Sequence, residues 1–371
     1  MSVSVSPVRG GGDLSRFIRF PYRHYAGHRH WVPPLLLDQK ELLNRIKHPF
    51  YKEADAEFFL ARRDGDVVGR IAAIHNRAHN EFHQDRVGFF GFFESEPHLE
   101  TARALLDAAA GWCAARGLEC LRGPTNPSTN YECGLLVDGF DSPNVFMMTY
   151  NPPYYPQLLE GYGFTPAKDL LAYWLTDENG FPEKLASISD RVLQKSGLAI
   201  REVRLDRMEE ELDRIFSVYN NAWSRNWGFV PMSKAELAVM AAGLKWVLDP
   251  RICYLLEKGD QPVGFLFAMP DLNRVLIRMS GRLLPFGWLR LLRDRRRLSV
   301  CRVIALGLSR EYQSYGYTAA LYRKIVTDGT DAGYHQSEIS WVLEDNLMMN
   351  RAAEMLGARL YKRYRIYEKP L

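Results

Sequence analysis

Val303-Ile304-Ala305-Leu306-Gly307-Leu308, followed directly by Ser309-Arg310-Glu311-Tyr312-Gln313-Ser314-Tyr315-Gly316-Tyr317-Thr318, is the stretch that decides the fold. Its first six residues form a short apolar run that reads as a buried strand, the next ten as a loop, and Ala319 to Thr327 as a helix. A strand, loop and helix in that order turn unpaired backbone N–H groups and the positive end of the helix dipole toward one point, an arrangement suited to a pyrophosphate. Gly316 is expected to let the backbone come close to such an anion, because a Cβ there would intrude.

Outward from this stretch, one order of elements is read twice. The second pass opens with a hairpin, Ile252–Glu257 and Pro262–Phe267, turning at Lys258-Gly259-Asp260. It runs through the strand Arg302–Leu308 and its helix to a strand at Ser337–Leu343, and ends in a helix, Asn346–Leu356. The first pass opens with Phe58–Arg63 and Val67–Ile74 around Asp64-Gly65-Asp66. An aromatic strand, Val87–Phe93, a helix, Leu99–Arg116, and a short strand at Cys120–Arg122 follow. The fold class is therefore α+β, two tandem modules, each a mixed, mostly antiparallel sheet flanked by helices. The loop Asp177-Glu178-Asn179-Gly180-Phe181-Pro182 puts the boundary near residue 180, giving modules 1–180 and 181–371. Two unrelated α+β domains are the alternative.

Composition fits this reading. A chain of 371 residues is the length of two domains, and 47% apolar residues with 12% aromatics supply packed cores. No run approaches the roughly 18 apolar residues of a membrane span. The start, MSVSVSPVRGGGDLSRF, lacks a signal-peptide apolar core, so the cytoplasm is expected. Five cysteines without a CxxC pair argue against a disulfide framework or zinc knuckle. The net charge of +4 hides an asymmetry: residues 274–302 hold nine arginines and one acid, a local +8, and the rest of the chain is therefore acidic. An acidic body with no recognisable nucleic-acid motif argues against a general polyanion binder, and no nucleic-acid partner is expected.

The combination Gln313-x-x-Gly316-x-Thr318, followed by Asn346 after the next strand, resembles the GCN5-related N-acetyltransferase (GNAT) superfamily. The resemblance implies that Gln313, Ser314, Tyr315, Gly316, Tyr317 and Thr318 bind the pyrophosphate of coenzyme A, with Thr318 replacing the family's usual small residue. It implies that Asn346 contacts the pantetheine arm and that the strand around Leu306 and Leu308 offers a backbone N–H to the acyl carbonyl. The family's acid, a Tyr four residues before the glycine that ends the last helix, falls on Ala353 and is absent. In the first module Glu94-Ser95-Glu96 stands where the cofactor loop would begin, and like charge there would repel a pyrophosphate. That module is read as degenerate and on the acceptor side.

The stretches Trp31–Leu35, His48–Phe50, Gly88–Glu94, Gly123–Asn130 and Asn221–Pro231 look like a tandem-GNAT group that includes bacterial ceramide synthases. This implies an acyl-CoA cosubstrate, no permanently bound cofactor, and an amine-bearing lipid or small molecule as acceptor. An alkylamine has a pKa of about 10.4 in water, so a base must help it attack. Glu132, Glu344 and Glu94 are the candidate bases, and Tyr150 is a candidate replacement acid. His75, His79 and His83, spaced as one helix face, do not form a His-Glu-x-x-His motif, and no metal is expected.

Between the second hairpin and the cofactor strand, Trp288, Leu289, Arg290, Arg293, Arg295, Arg296 and Arg297 alternate apolar and cationic positions at near-helical spacing. That is the pattern of a helix lying on an anionic membrane surface, and of a domain-packing helix with a basic flank. The expected activity is an N-acyltransferase, peripheral on the inner face of the cytoplasmic membrane, that joins a long acyl chain to a lipid amine. A soluble acetyltransferase for a small amine and a non-catalytic acyl-CoA-binding module are the alternatives.

Overall fold

A computed structural model of the chain describes residues 2–313 and 316–371. The chain forms two compact units: unit 1 is Met1–Leu170, Val275–Leu289 and Lys362–Leu371, and unit 2 is Leu171–Arg274 and Arg290–Tyr361. In chain order the first elements are β1 (Ser4–Pro7), α1 (Gly10–His24), α2 (Leu36–Leu42), β2 (Ala54–Arg63), β3 (Asp66–Asn76), α3 (Arg77–His83), β4 (Val87–Ser95) and α4 (Leu99–Ala114). Then come β5 (Cys120–Gly123), β6 (Thr125–Asn126), β7 (Glu132–Cys133), β8 (Leu135–Asp138), α5 (Tyr155–Tyr162), β9 (Thr165–Thr176), α6 (Glu183–Ser196) and β10 (Leu198–Glu202). These are followed by α7 (Met208–Trp223), α8 (Lys234–Leu244), β11 (Cys253–Lys258), β12 (Gln261–Pro270), α9 (Asn273–Leu276) and α10 (Gly287–Asp294). The last are β13 (Val300–Leu308), α11 (Tyr317–Asp331), β14 (Gln336–Leu343), α12 (Leu347–Met355) and β15 (Arg359–Pro370).

In unit 1 the strands lie in the order β1-β2-β3-β4-β5-β15. Asp64 and Gly65, at φ 53 and 87, make the tight turn that pairs β2 with β3. Ala102, Leu105, Leu106, Ala109 and Cys113 recur at helical spacing on α4 and bury that face in the core on one side of the sheet. Phe17 and Ile18 of α1 belong to a second cluster with Phe58, Leu60 and Ile74. His75 is not on a helix with His79 and His83. The β2–β3 ladder runs on to Ala54↔Asn76, which keeps His75 in the strand, and the Asn76 side chain then accepts from the His79 N–H to start α3. Glu132, expected in a loop, stands on β7 opposite Asn126.

Unit 2 has the order β10-β11-β12-β13-β14, with the Leu171–Thr176 part of β9 beyond β14. Leu321 and Ile325 of α11 and Ala353 of α12 enter the core on one side. Val218 and Ala222 of α7 pack with Phe265 on the other.

Both units share one local device. β4 and β5 pair in parallel only from Val87↔Cys120 to Phe89↔Arg122, and β13 and β14 only from Val300↔Gln336 to Val303↔Ile339. All four strands except β5 continue well beyond the end of the ladder. At that point each longer strand is irregular. Ile304 has no partner between Phe267↔Ala305 and Ala268↔Val303. Phe92, at φ 49, and Phe93 both stand opposite Ile71.

Candidate functional site

The edge of β13 exposed by this splay carries the candidate site of unit 2. The Ser309 N–H donates to the Val263 carbonyl, at 2.8 Å, which fixes the phase of the β12–β13 ladder. Residues 305, 307 and 309 exchange both bonds with β12, so the N–H and C=O of Leu306 and Leu308 point away from it, toward the splay. Side chains reach the two oxygens: Trp223 Nε1 donates to Leu306 O at 3.2 Å and Gln313 Nε2 to Leu308 O at 3.1 Å. The two N–H groups are left aimed along one edge, spaced for an extended ligand bearing amides.

The loop after β13 is fixed at its near end. Gln313 also donates to Ala222 O at 3.2 Å, and the Arg310 N–H donates to Asn221 Oδ1 at 3.3 Å. Ser314 and Tyr315, both expected to touch a pyrophosphate, lie outside the described residues. Gly316 is the N-cap of α11 at φ 71, a left-handed backbone that only glycine adopts without cost. A Cβ built there comes 3.0 Å from Ile188 Cγ2 and 3.7 Å from Val192 Cγ2 of α6, so the glycine requirement comes from backbone conformation and close helix packing. Tyr317 and Thr318 open the first turn of α11, where helix geometry gives their N–H groups no acceptor, while the Ala319 N–H donates to Gly316 O at 3.0 Å.

Asn346 is the N-cap of α12, and its Oδ1 accepts from the Met349 N–H at 3.2 Å. Glu344 is exposed just past the end of β14. Ala353, at the family's tyrosine position, is fully buried in the core. Not foreseen from the sequence was a buried polar group on the other face of β13: Arg302 Nε donates to Ser340 Oγ at 2.9 Å and lies 3.7 Å from Glu338. Its members alternate with core residues on both strands, and that alternation is the signal that could have found it.

Unit 1 repeats the splay, but its own side chains fill the edge. The Phe92 N–H donates to Asn126 Oδ1 at 2.6 Å, the Ser95 N–H donates to Tyr155 Oη at 2.9 Å, and Tyr154 Oη donates to Ser95 O at 2.8 Å. Glu94 is not a solvated loop carboxylate, because β4 extends to Ser95 and carries it inward. Tyr25 Oη and Tyr155 Oη each donate to its Oε2 at 2.7 Å, and Arg70 stands 3.7 Å away. Burial pushes its carboxyl above the ordinary carboxylate range, against the pull of Arg70 and the two hydroxyls. His24 lies 3.0 Å from Tyr155 Oη, and burial lowers its imidazole to about 4, so it is neutral. Tyr150 joins this group through its carbonyl, which accepts from Tyr25 Oη at 3.4 Å.

The raised Glu94 pKa has a signed consequence. The folded state holds the Glu94 proton more tightly than the unfolded chain does. The stability this confers is full below the ordinary carboxylate pKa and is lost as pH rises through the native value. Melting temperatures of wild type and Glu94→Gln across mildly acidic pH should show a steeper decline in the wild type; parallel curves would contradict it.

In the arginine segment Trp288 and Leu289 are exposed, as are Leu284 and Phe286 before them, at 67% and 74% of full accessibility. Arg290 and Arg293 share Asp294, at 3.9 and 2.7 Å, Arg295 donates to the Trp246 carbonyl, and Arg296 and Arg297 are exposed. Among the described residues no helix is long and apolar enough to cross a membrane, and no group of three or more His, Cys, Asp or Glu is placed to hold a metal.

A splayed parallel strand pair and a bulge at its fork, present in both units, with a glycine-capped helix after it in unit 2, make up a GNAT-type fold in tandem. The solved structure of a tandem GNAT protein from the clavulanic acid biosynthesis pathway shares the fold, with a TM-score of 0.58 at 12% identity over 100% of this chain and 98% of that one. The bacterial ceramide synthase of Caulobacter vibrioides is 35% identical over 379 residues, 100% of this chain and 98% of its own. Protein YghO of Escherichia coli is 33% identical over 367 residues, 97% of this chain and 93% of its own. No family model matches the chain. The chain belongs to the tandem-GNAT family that contains the bacterial ceramide synthase.

Proposed function

We propose that this protein transfers an acyl group from a long-chain acyl-CoA to the primary amine of a lipid, with a sphingoid base as acceptor and an N-acyl sphingoid base, a ceramide-type amide, as product. The observation that carries the assignment of roles is the contrast between the two splayed edges: that of β13 presents the Leu306 and Leu308 N–H groups, while that of β4 is closed by Asn126 and Tyr155. In this reading unit 2, which holds most of residues 181–371, is the acyl-CoA module, and unit 1, which holds most of residues 1–180, serves the acceptor side. The choice of lipid amine rests on the 35% identity to a ceramide synthase.

In this reading the pantetheine arm lies along the β13 edge, with Asn346 near it, and the pyrophosphate meets the 313–318 loop and the first turn of α11. The neutral amine attacks the thioester carbonyl, and the charge developing on its oxygen is held by the Leu306 N–H. Collapse of the tetrahedral intermediate breaks the C–S bond, forms the amide and expels the coenzyme A thiolate. The amine proton passes to a base, for which we take Glu344, exposed at the end of β14. With Ala353 in place of the family's tyrosine, the thiolate takes its proton from solvent. Exposed Leu284, Phe286, Trp288 and Leu289 beside Arg290, Arg293, Arg296 and Arg297 support the further reading that the protein lies on the anionic inner face of the cytoplasmic membrane.

Purified protein incubated with palmitoyl-CoA, sphinganine and membrane-mimetic vesicles should yield the amide by mass spectrometry, and Glu344→Gln should not. Turnover of acetyl-CoA with a small amine, without detergent and without vesicle binding, would instead identify a soluble acetyltransferase. Ala353 favours one other reading, a non-catalytic acyl-CoA-binding module. It predicts that coenzyme A raises the melting temperature while thiol release stays at background.

A further inference from the structure

Unit 1 contains a cavity of about 860 Å³ whose walls include Arg19, Arg23, Arg29, Arg282, Tyr25 and Trp31. Its size is that of a site for a drug-sized ligand. Among the described residues no Asp or Glu lines it. Its arginines come from three places in the chain: α1 supplies Arg19 and Arg23, the turn after α1 supplies Arg29, and the Val275–Leu289 segment supplies Arg282.

That wall is built rather than incidental. The Leu36 N–H donates to Gly281 O at 3.0 Å. Gly281, at φ 70, comes so close that a Cβ would stand 2.4 Å from Tyr22 Cε1 and 2.6 Å from Pro34 O. Tyr25 and Trp31 stack with centroids 4.7 Å apart and planes 8° from parallel, and the Tyr25 hydroxyl is held by Glu94. Rigid aromatic rings therefore stand among the guanidinium groups.

Arg23 has partners of its own, the Val67 carbonyl and Asp66 at 3.9 Å. Arg19, Arg29 and Arg282 make no ion pair among the described residues. Gathering guanidinium groups around one cavity without a carboxylate raises its potential and favours an anion, and the guanidinium fork matches phosphate oxygens in pairs. The residues just past Arg282 indicate what the phosphate is attached to. The cavity wall runs straight into Leu284, Phe286, Trp288 and Leu289, which are 67%, 74%, 42% and 48% exposed. Apolar side chains displayed beside an anion site suit an anion that carries acyl chains.

We infer that this cavity receives the phosphate-bearing headgroup of a membrane lipid, held by Arg19, Arg29 and Arg282. The lipid part rests on the reading of the 284–292 stretch as membrane-facing; the phosphate part does not. Dihexanoylphosphatidic acid, kept below its micelle concentration, supplies the headgroup without a membrane. Titrated calorimetrically into the full-length protein, it should bind saturably. The double variant Arg19→Gln/Arg282→Gln should weaken it by about tenfold or more, as expected for two lost charge-assisted contacts.

Both substitutions are at exposed positions, so an unchanged melting temperature shows that the fold is intact. Absence of saturable binding, or equal affinity in the double variant, would overturn the site. Inorganic phosphate binding as tightly as the lipid would overturn the lipid assignment. Flotation with phosphatidic-acid vesicles reads membrane docking separately: short-chain lipid bound in the cavity without flotation would support the headgroup site while removing the docking reading.

Discussion

Substituting Gly316 by valine should abolish acyl-CoA turnover and lower coenzyme A affinity by about tenfold or more, the change that corresponds to 1.4 kcal/mol. Two costs add at this position. A residue with a Cβ pays about 1–2 kcal/mol to hold the left-handed backbone, and a β-branched one pays more. The backbone there has φ 71. The new Cβ also stands 3.0 Å from Ile188 Cγ2, before the branch methyls are counted. The chain can relieve both only by moving the start of α11 away from α6, which displaces the first-turn N–H groups proposed to hold the pyrophosphate. Gly316→Ala carries the backbone cost with a smaller clash, and should retain part of the binding. Calorimetry with coenzyme A and a thiol-release assay measure the two effects, and amide exchange in unit 1 should be unchanged. Wild-type affinity in Gly316→Val would mean the pyrophosphate binds elsewhere.

Leu306→Pro should lower kcat by about 100–1,000-fold, the usual loss on removing one oxyanion donor. Proline is normally destructive in a central strand, because it removes a ladder bond. Here the register confines the damage: Leu306 stands opposite Leu266 in a pair that exchanges no hydrogen bonds, so its N–H serves the splay alone. The neighbouring substitution Gly307→Pro removes an N–H bonded to β12 and should lower the melting temperature, whereas Leu306→Pro should leave it nearly unchanged. Equal melting losses would mean that the ladder phase is other than described. A normal kcat for folded Leu306→Pro would reassign the oxyanion donor.

Much of the fold was legible because its signals are local. The hairpin turn at Asp64-Gly65 and the run Val303–Leu308 ending in a glycine-capped helix each depend on neighbours a few residues apart. So did the tandem order of elements, and with it the α+β class. The candidate site was legible in part for the same reason: Leu306, Leu308, Gln313 and Gly316 fall on one strand–loop–helix unit.

Errors arose where a residue's surroundings come from far away. His75 looks helical beside His79 and His83, but its strand is held by Asp55 across the β2–β3 ladder. Glu94 reads in the sequence as a candidate base beside Glu96, where the cofactor loop would begin. Its partners Tyr25 and Tyr155 lie 69 and 61 positions away, and no local pattern announces them. At Gly316 the glycine is visible in the sequence, but the helix that crowds it, which begins at Glu183, is not visible from its neighbours.

The sequence by itself determined that the chain carries two copies of one architecture, that the second holds the glycine loop proposed to bind an anion, and that an arginine-rich, apolar segment interrupts it. Only the tertiary structure decided which splayed edge is open. Both modules fold the same strands to the same fork, and strand formation leaves the same unpaired N–H groups in each. Their availability depends on whether remote side chains reach them, and in unit 1 Asn126 and Tyr155 do. The tertiary structure also decided that Val275–Leu289 belongs to unit 1 although the chain on either side belongs to unit 2. Backbone contacts such as Leu36 N–H to Gly281 O decide membership, and hydrogen bonds between distant residues leave no trace in local composition.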